Sequence, residues 1–169
     1  MPIDTRAVEK EISRENDEGN PVVGHLQRQV ANAFVLYNNY KHYHWETFGP
    51  LFRDLHLMFD EFAKAVLDTA DEFAERLRMI GQDPVTGLRR LQDTASVQTA
   101  ADGTSMREMI EEADANLMVV IRDMRDAAYA ADSQHDPGTV DLFSKMVQIH
   151  EKHEWFLREI LKRRDGLVT

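Results

Sequence analysis

The 169 residues, of which 43% are hydrophobic and 30% charged, suffice for one domain with a hydrophobic core and are too few for two. Thirty acidic and twenty basic residues give a net charge of −10, which disfavours binding to nucleic acid or anionic membranes and favours attraction of cations. The absence of cysteine excludes disulfides, a thiolate nucleophile and cysteine-ligated metal sites. Any metal must therefore be held by histidine and carboxylates.

The first 20 residues contain six acidic, three basic and few apolar residues, so they are expected to form a flexible tail. They include no apolar run of signal-peptide length, and no segment approaches the ~18 apolar residues of a membrane span. The sequence therefore predicts a cytoplasmic protein without a membrane segment, with one domain over residues 21–165.

The first two helices are indicated by apolar residues spaced three and four apart. The first helix carries a stripe from Leu26 to His44. Gly49 offers a left-handed stop and Pro50 a helix start, so the second helix is expected to follow antiparallel and to end at Gly81.

The rest of the chain predicts a crossover and two further helices. Residues 81–103 are long enough to cross a bundle, and a short helix is expected around residues 88–91. A capping box of Ser105 and Glu108 opens the third long helix, and Asp136 precedes the fourth. The apolar stripe of the fourth helix is Phe143, Met146, Ile149, His153, Phe156 and Ile160. The pattern describes an all-α, ferritin-like four-helix bundle with a short helix in the long crossover.

Histidine and acidic residues share one stripe of the second helix. His56 and Asp60 are four residues apart, as are Asp71 and Glu75. The eleven residues from Asp60 to Asp71 turn a helix by about 1100°, close to three whole turns. Because the flanking residues are apolar, unpaired carboxylates there would be costly and a bound cation would offset that cost.

The two pairs lie roughly 16 Å apart along the helix, too far to share an ion within one chain. If the same helix of a second subunit crosses antiparallel, the histidine-containing pair of one chain meets the carboxylate pair of the other, twice per dimer. His44, entering from the first helix, completes a set of two imidazoles and three carboxylates. Such a set suits Fe(II), Mn(II) or Zn(II) better than calcium.

Each residue also has a structural alternative. A single carboxylate on a helix is more often solvated, and a single histidine is more often a hydrogen-bonded core residue, so it is their joint spacing that favours a metal site. His150 and His153 form either an accessory metal pair or core or interface packing. His42 is expected to face solvent, with a role as an added ligand left open. Trp45 is interpreted as packing, with electron donation to a neighbouring metal as a second role.

Four sequence blocks around these residues resemble one known family. They are Tyr43-His44-Trp45, Gly49-Pro50-x-Phe52, Leu55-His56-x-x-Phe59-Asp60-Glu61 and Asp71-x-x-Ala74-Glu75-Arg76. The resemblance is to the Dps family of mini-ferritins and covers residues of roughly 22–163. It implies a spherical dodecamer of four-helix subunits with ferroxidase centres at two-fold interfaces. By this resemblance His44, His56 and Asp60 come from one subunit, and Asp71 and the bridging ligand Glu75 come from its neighbour.

The implied function is iron storage and detoxification under oxidative stress. Fe(II) is oxidised at the shared centres, preferentially by hydrogen peroxide rather than oxygen, and Fe(III) mineral collects inside the shell; zinc or manganese can take the place of iron as a bound ion. The alternative is a nucleoid-associated protein that coats DNA, but residues 1–20 carry a net charge of −3, so DNA binding is expected to be weak or absent. A ferritin with its site inside each bundle is disfavoured because no glutamate here is followed by histidine three residues later.

The resemblance also implies acidic pores near the start of the fourth helix. Asp141 and Asp136 are the candidate pore residues, and Asp141 fits the family position better. The alternative is that Asp136 only caps the helix and Asp141 only complements its dipole.

Overall fold

The computed structural model describes residues 19–162, so most of the predicted N-terminal tail, and residues 163–165 of the predicted domain, lie outside the described residues. The described chain contains five helices and no strand. They are α1 (Pro21–Glu46), α2 (Phe52–Met79), α3 (Leu88–Thr94), α4 (Met106–Ser133) and α5 (Pro137–Leu161). α1 packs chiefly on α2 and α4 chiefly on α5, while α3 lies against α1. This is the predicted all-α bundle. Among the described residues, no helix combines the length and the hydrophobicity that a membrane span requires.

Local sequence signals set the helix ends. Asn20 caps α1 by accepting from the backbone N–H two residues later at 2.9 Å. Ser105 and Glu108 form the predicted capping box of α4. At the end of α2, Gly81 has φ +78°, and the next N–H donates to the Leu77 carbonyl at 2.8 Å. That bond satisfies a helix-end carbonyl and turns the chain into the crossover.

The turn between α1 and α2 is slightly longer than the sequence predicts. α1 ends at Glu46, and α2 begins at Phe52 rather than Pro50. Gly49 has φ +81°, and its carbonyl accepts from the Phe52 N–H at 3.0 Å. The short turn keeps the end of α1, which carries His44, beside the start of α2.

Buried amide side chains hold the crossover against the bundle. The Asn39 amide donates to the Gln98 carbonyl at 2.7 Å and accepts from the Ala100 N–H at 2.9 Å. Asn32 accepts from the Ser96 N–H at 2.8 Å. These contacts satisfy backbone groups that a non-helical segment would otherwise leave unpaired.

The buried face of α5 differs from the predicted stripe. Its fully or nearly fully buried residues include His150 and Leu157, whereas Ile149, Phe156 and Ile160 are only partly buried. The buried face of α5 is thus rotated by about one residue relative to the predicted stripe. Packing against α4 and α2, and not side-chain hydrophobicity alone, determines which residues of α5 face the core.

Candidate metal centre

The two histidines predicted as ligands meet at the junction of α1 and α2. His44 is in the last turn of α1, and His56 is in the second turn of α2. Their rings stack with centroids 3.6 Å apart and an interplanar angle of 19°. Both side chains are half-buried, so part of each histidine remains accessible to solvent.

Reciprocal hydrogen bonds fix the orientation of both rings. His44 Nδ1 lies 2.6 Å from the His56 carbonyl oxygen, and His56 Nδ1 lies 2.7 Å from the His44 carbonyl oxygen. A carbonyl oxygen only accepts, so each Nδ1 must carry the proton and donate it. In the neutral imidazole each Nε2 is then unprotonated and carries a lone pair that can bind a metal. This arrangement prepares two nitrogens for a metal ion.

Asp60, one turn after His56, lies between two lysines. Its Oδ1 is 2.8 Å from Lys41 Nζ and its Oδ2 is 2.6 Å from Lys64 Nζ. Hydrogen bonds from Lys41 and then Lys64 hold the pKa of Asp60 well below its usual range. The carboxylate is therefore ionised at neutral pH, and a cation that binds it must compete with two ammonium groups.

The contacts of these two lysines with Asp60 were not predicted from the sequence. Lys64 could have been found from its four-residue spacing to Asp60 on one helix. Lys41 is on α1, and only the packing of α1 on α2 brings it to the carboxylate.

Asp71 and Glu75 lie exposed near the far end of α2. Within the described residues, no three histidine or acidic side chains converge on a point where they could hold a metal. One chain therefore brings together His44 and His56, with Asp60 one turn away, but does not bring Asp71 or Glu75 to them. Their assignment to a shared centre remains a prediction.

Trp45 and His42 flank this site without joining it. Trp45 is 69% exposed, and the Lys41 ammonium lies 5.7 Å from its ring centroid. His42 is half-buried and makes an edge contact with the Tyr43 ring at 5.9 Å. The predicted roles of Trp45 as electron donor and of His42 as added ligand are not tested by these contacts.

His150 and His153 lie inside the bundle. They are 1% and 6% exposed, and the His153 ring stacks on Phe62 with centroids 3.8 Å apart. Neither ring nitrogen of His150 has a hydrogen-bond partner among the described residues. Burial lowers the pKa of His150 to about 3 and that of His153 to about 4, so both rings are neutral at pH 7.

Replacing His150 with leucine is expected to make the bundle more resistant to acid. As the pH falls below about 6.5, the unfolded chain takes up protons that the folded chain cannot, so folding stability falls; at pH 5 this costs about 2 kcal/mol for such a buried histidine. His150→Leu should therefore shrink the difference in thermal midpoint between pH 7 and pH 5, measured by calorimetry. The exposed His135→Asn is the control, and an unchanged pH dependence in His150→Leu would contradict the prediction.

The two candidate pore residues have different environments. Asp136 is 4% exposed, accepts from the Arg76 guanidinium at 2.7 Å and from the Thr139 N–H at 3.0 Å, and caps α5. Its carboxylate is thus occupied within the fold, which favours the capping alternative. Asp141 is exposed and lines a groove of about 210 Å³ together with Glu75. Asp141 is therefore the better candidate for a pore residue.

Comparison with known proteins identifies the family. The sequence profile of the Ferritin-like domain family matches residues 23–166. Over 148 residues the chain is 33% identical to DNA protection during starvation protein 1 of Deinococcus radiodurans, covering 87% of this chain and 72% of that protein. Over 137 residues it is 33% identical to the DNA protection during starvation protein of Brevibacillus brevis, covering 81% and 92%.

Solved structures give the same result. Dps from Thermosynechococcus elongatus superposes with a TM-score of 0.85 at 41% identity, over 99% of this chain and all of that one. Dps from Vibrio cholerae, described as a member of a broad superfamily of ferritin-like diiron-carboxylate proteins, superposes with a TM-score of 0.80 at 26% identity, over 90% and 92%. With this fold, these motifs and these relatives, the chain belongs to the Dps family of ferritin-like proteins.

Proposed function

We propose that this protein is a ferroxidase and iron store, which oxidises Fe(II) at centres shared between two subunits and protects against peroxide stress. The observation that carries the proposal is the stacked pair His44 and His56, whose reciprocal hydrogen bonds leave both Nε2 atoms free for a metal. Membership of a family related to diiron-carboxylate proteins supports iron, here the substrate, as that metal.

A second subunit would supply what one chain lacks. Apolar side chains are exposed around the histidine pair and along α2, a surface that a monomer rarely leaves uncovered. They include Trp45, Phe48, Leu51, Phe52, Leu57 and Leu67. An antiparallel crossing of α2 helices would cover them and bring Asp71 and Glu75 of one chain to the histidines of the other. The resemblance further suggests that six such dimers close into a dodecamer.

The proposed centre favours two-electron chemistry. The neutral imidazoles bind Fe(II), and the carboxylates, including Asp60 once its lysines are displaced, balance the metal charge. Two Fe(II) ions give two electrons to one hydrogen peroxide, which with two protons becomes two waters, leaving two Fe(III). Because both electrons arrive together, no hydroxyl radical is released. Zn(II) or Mn(II) would occupy the same ligands.

The proposal is tested on the purified assembly. Its mass is measured by sedimentation, and anaerobic protein loaded with Fe(II) is then mixed with peroxide or with air while iron absorbance is followed. We expect twelve subunits and faster oxidation by peroxide than by oxygen. A mass of one or two subunits would contradict the dodecamer, and Fe(II) oxidation no faster than in buffer would contradict the ferroxidase.

Asp141 is proposed to line an entry path for iron. It is exposed in a groove that it shares with Glu75 and with the basic residues Arg76 and Lys145, so a cation attracted to Asp141 lies near a proposed ligand. Asp141→Asn should slow iron uptake and mineral growth while leaving stability unchanged, measured by stopped-flow absorbance and thermal unfolding. If Asp141→Asn took up iron as fast as the parent at every ionic strength, Asp141 would have only the alternative role of complementing the helix dipole.

DNA coating is the alternative function, and the names of several relatives refer to DNA protection. A negative particle is repelled by the phosphate backbone, because affinity for DNA rests largely on lysine and arginine contacts. We expect no gel shift of plasmid DNA at physiological salt and micromolar protein. A shift that disappeared after removal of residues 1–20 would assign DNA binding to the tail.

A further inference from the structure

A buried tyrosine and a carboxylate form a short hydrogen bond beside the candidate metal centre. The Tyr43 ring is fully buried, and its hydroxyl donates to Glu112 Oε1 at 2.5 Å. Tyr43 directly precedes His44, and its ring packs on Phe59, the residue before Asp60, with centroids 5.3 Å apart. Tyr43 is thus next in sequence to one predicted ligand, packs on the residue that precedes another, and is shielded from solvent.

A neighbouring tyrosine provides an internal comparison. Tyr40 is also fully buried, and its ring centroid lies 6.5 Å from that of Tyr43. In the described part of the chain the Tyr40 hydroxyl has no hydrogen-bond partner. Burial raises the pKa of both phenols, so neither loses its proton to water at neutral pH. Of these two phenols, only that of Tyr43 donates to a carboxylate within the described structure.

That difference matters for oxidation. A tyrosine that loses an electron becomes a strong acid and must release its phenolic proton, so a hydrogen-bonded carboxylate lowers the cost of removing the electron. Proton transfer needs a heavy-atom separation within hydrogen-bond reach, and the bond to Glu112 meets this condition. The Tyr40 hydroxyl has no hydrogen-bonded acceptor among the described residues, and the Asp114 carboxylate acts on it only electrostatically.

We infer that Tyr43 donates one electron to hydroxyl radical formed at the metal centre, and that Glu112 accepts its phenolic proton. The inference rests on the proposed ferroxidase function and concerns centres that hold only one Fe(II). That ion reduces hydrogen peroxide by one electron, giving Fe(III), hydroxide and hydroxyl radical. Tyr43 then reduces the radical to hydroxide, becomes a neutral tyrosyl radical, and leaves Glu112 protonated.

Trp45, the donor suggested by the sequence, has less favourable surroundings in this chain. It is 69% exposed, and a positive charge at Lys41 lies 5.7 Å from its ring centroid. A cation attracted to the ring face opposes formation of a radical cation there. Tyr43 has no such cation contact in the described structure, and its burial keeps a radical away from solutes.

The experiment uses the assembled full-length protein with one Fe(II) per subunit and excess hydrogen peroxide, frozen within milliseconds for electron paramagnetic resonance. Ring-deuterated tyrosine identifies a tyrosyl signal by its narrowing. Tyr43→Phe removes the phenol that donates the electron. Glu112→Gln keeps the shape of the side chain but removes the carboxylate that accepts the proton, and Tyr40→Phe is the matched control. A spin trap in solution measures the hydroxyl radical that escapes.

We expect a tyrosyl signal in the parent and in Tyr40→Phe, its loss in Tyr43→Phe, and a lower yield in Glu112→Gln. More hydroxyl radical should be trapped in solution with the last two variants. A full signal in Tyr43→Phe, an unchanged yield in Glu112→Gln, or loss of the signal in Trp45→Phe instead would overturn the inference. If the parent protein oxidises iron rapidly but gives no tyrosyl signal, the inference about Tyr43 is overturned and the ferroxidase proposal stands. If the parent protein does not oxidise iron, the ferroxidase proposal itself is contradicted.

Discussion

Replacing His44 or His56 with alanine is expected to lower the rate of peroxide-driven Fe(II) oxidation by at least about 100-fold, since loss of even an outer-shell partner of a metal ligand costs 10–100-fold. Each variant removes one ligand nitrogen and also the ring that stacks on the remaining imidazole at 3.6 Å, although the remaining ring keeps its hydrogen bond to a backbone carbonyl. The rate should therefore fall further than the loss of one ligand alone would cause. Stopped-flow iron absorbance measures the rate.

Folding should survive these substitutions. Both side chains are half-buried at the edge of the bundle rather than in the core, so thermal unfolding should change little. His25→Ala, a half-buried histidine near the opposite end of α1, is the matched control and should keep the parent rate. If both His44→Ala and His56→Ala oxidised Fe(II) at the parent rate, the assignment of the reaction to this histidine pair would be contradicted.

The metal affinity gives a second readout. Zn(II) is not oxidised, so its binding measured by calorimetry reports the ligands alone. Loss of zinc binding together with loss of oxidation would assign both effects to the same imidazoles. Retained zinc binding with lost oxidation would instead indicate that the histidines act in the reaction and not in binding.

The helices were predictable from the sequence because their signals are local. The stripe of α1, the capping box at Ser105 and the glycine at position 81 each specify a helix or its end within a few residues. The four-residue spacings on α2 likewise place each ligand pair on one helix face. These features need no knowledge of how the helices pack.

Contacts between helices were not predictable in the same way. The reciprocal bonds of His44 and His56 depend on the length of the α1–α2 turn, and the contact of Lys41 with Asp60 depends on how α1 rotates against α2. The bond from Tyr43 to Glu112 joins residues 69 positions apart. The rotation of α5 that buries His150 follows from its packing, which a stripe with an equally apolar neighbouring face does not specify.

The sharing of one centre by two subunits predicts that two inactive variants restore activity when they are mixed. His56→Ala lacks a ligand from one side of the interface, and Glu75→Ala lacks a ligand from the other. Each variant alone has both centres of every dimer damaged. In a mixed dimer, one centre carries both substitutions, and the other has intact histidines from the Glu75→Ala chain and intact carboxylates from the His56→Ala chain.

Chains of the two variants are unfolded together, refolded at equal ratio and assayed for Fe(II) oxidation with peroxide. Random pairing makes half of the dimers mixed, and each mixed dimer regains one of its two centres, so about a quarter of the parent activity should return. Refolding His44→Ala with His56→Ala is the control, because both substitutions fall on the same side and every centre stays damaged. If the centre were built within one chain, neither mixture would recover activity; recovery in the first mixture alone requires that Glu75 act across the interface.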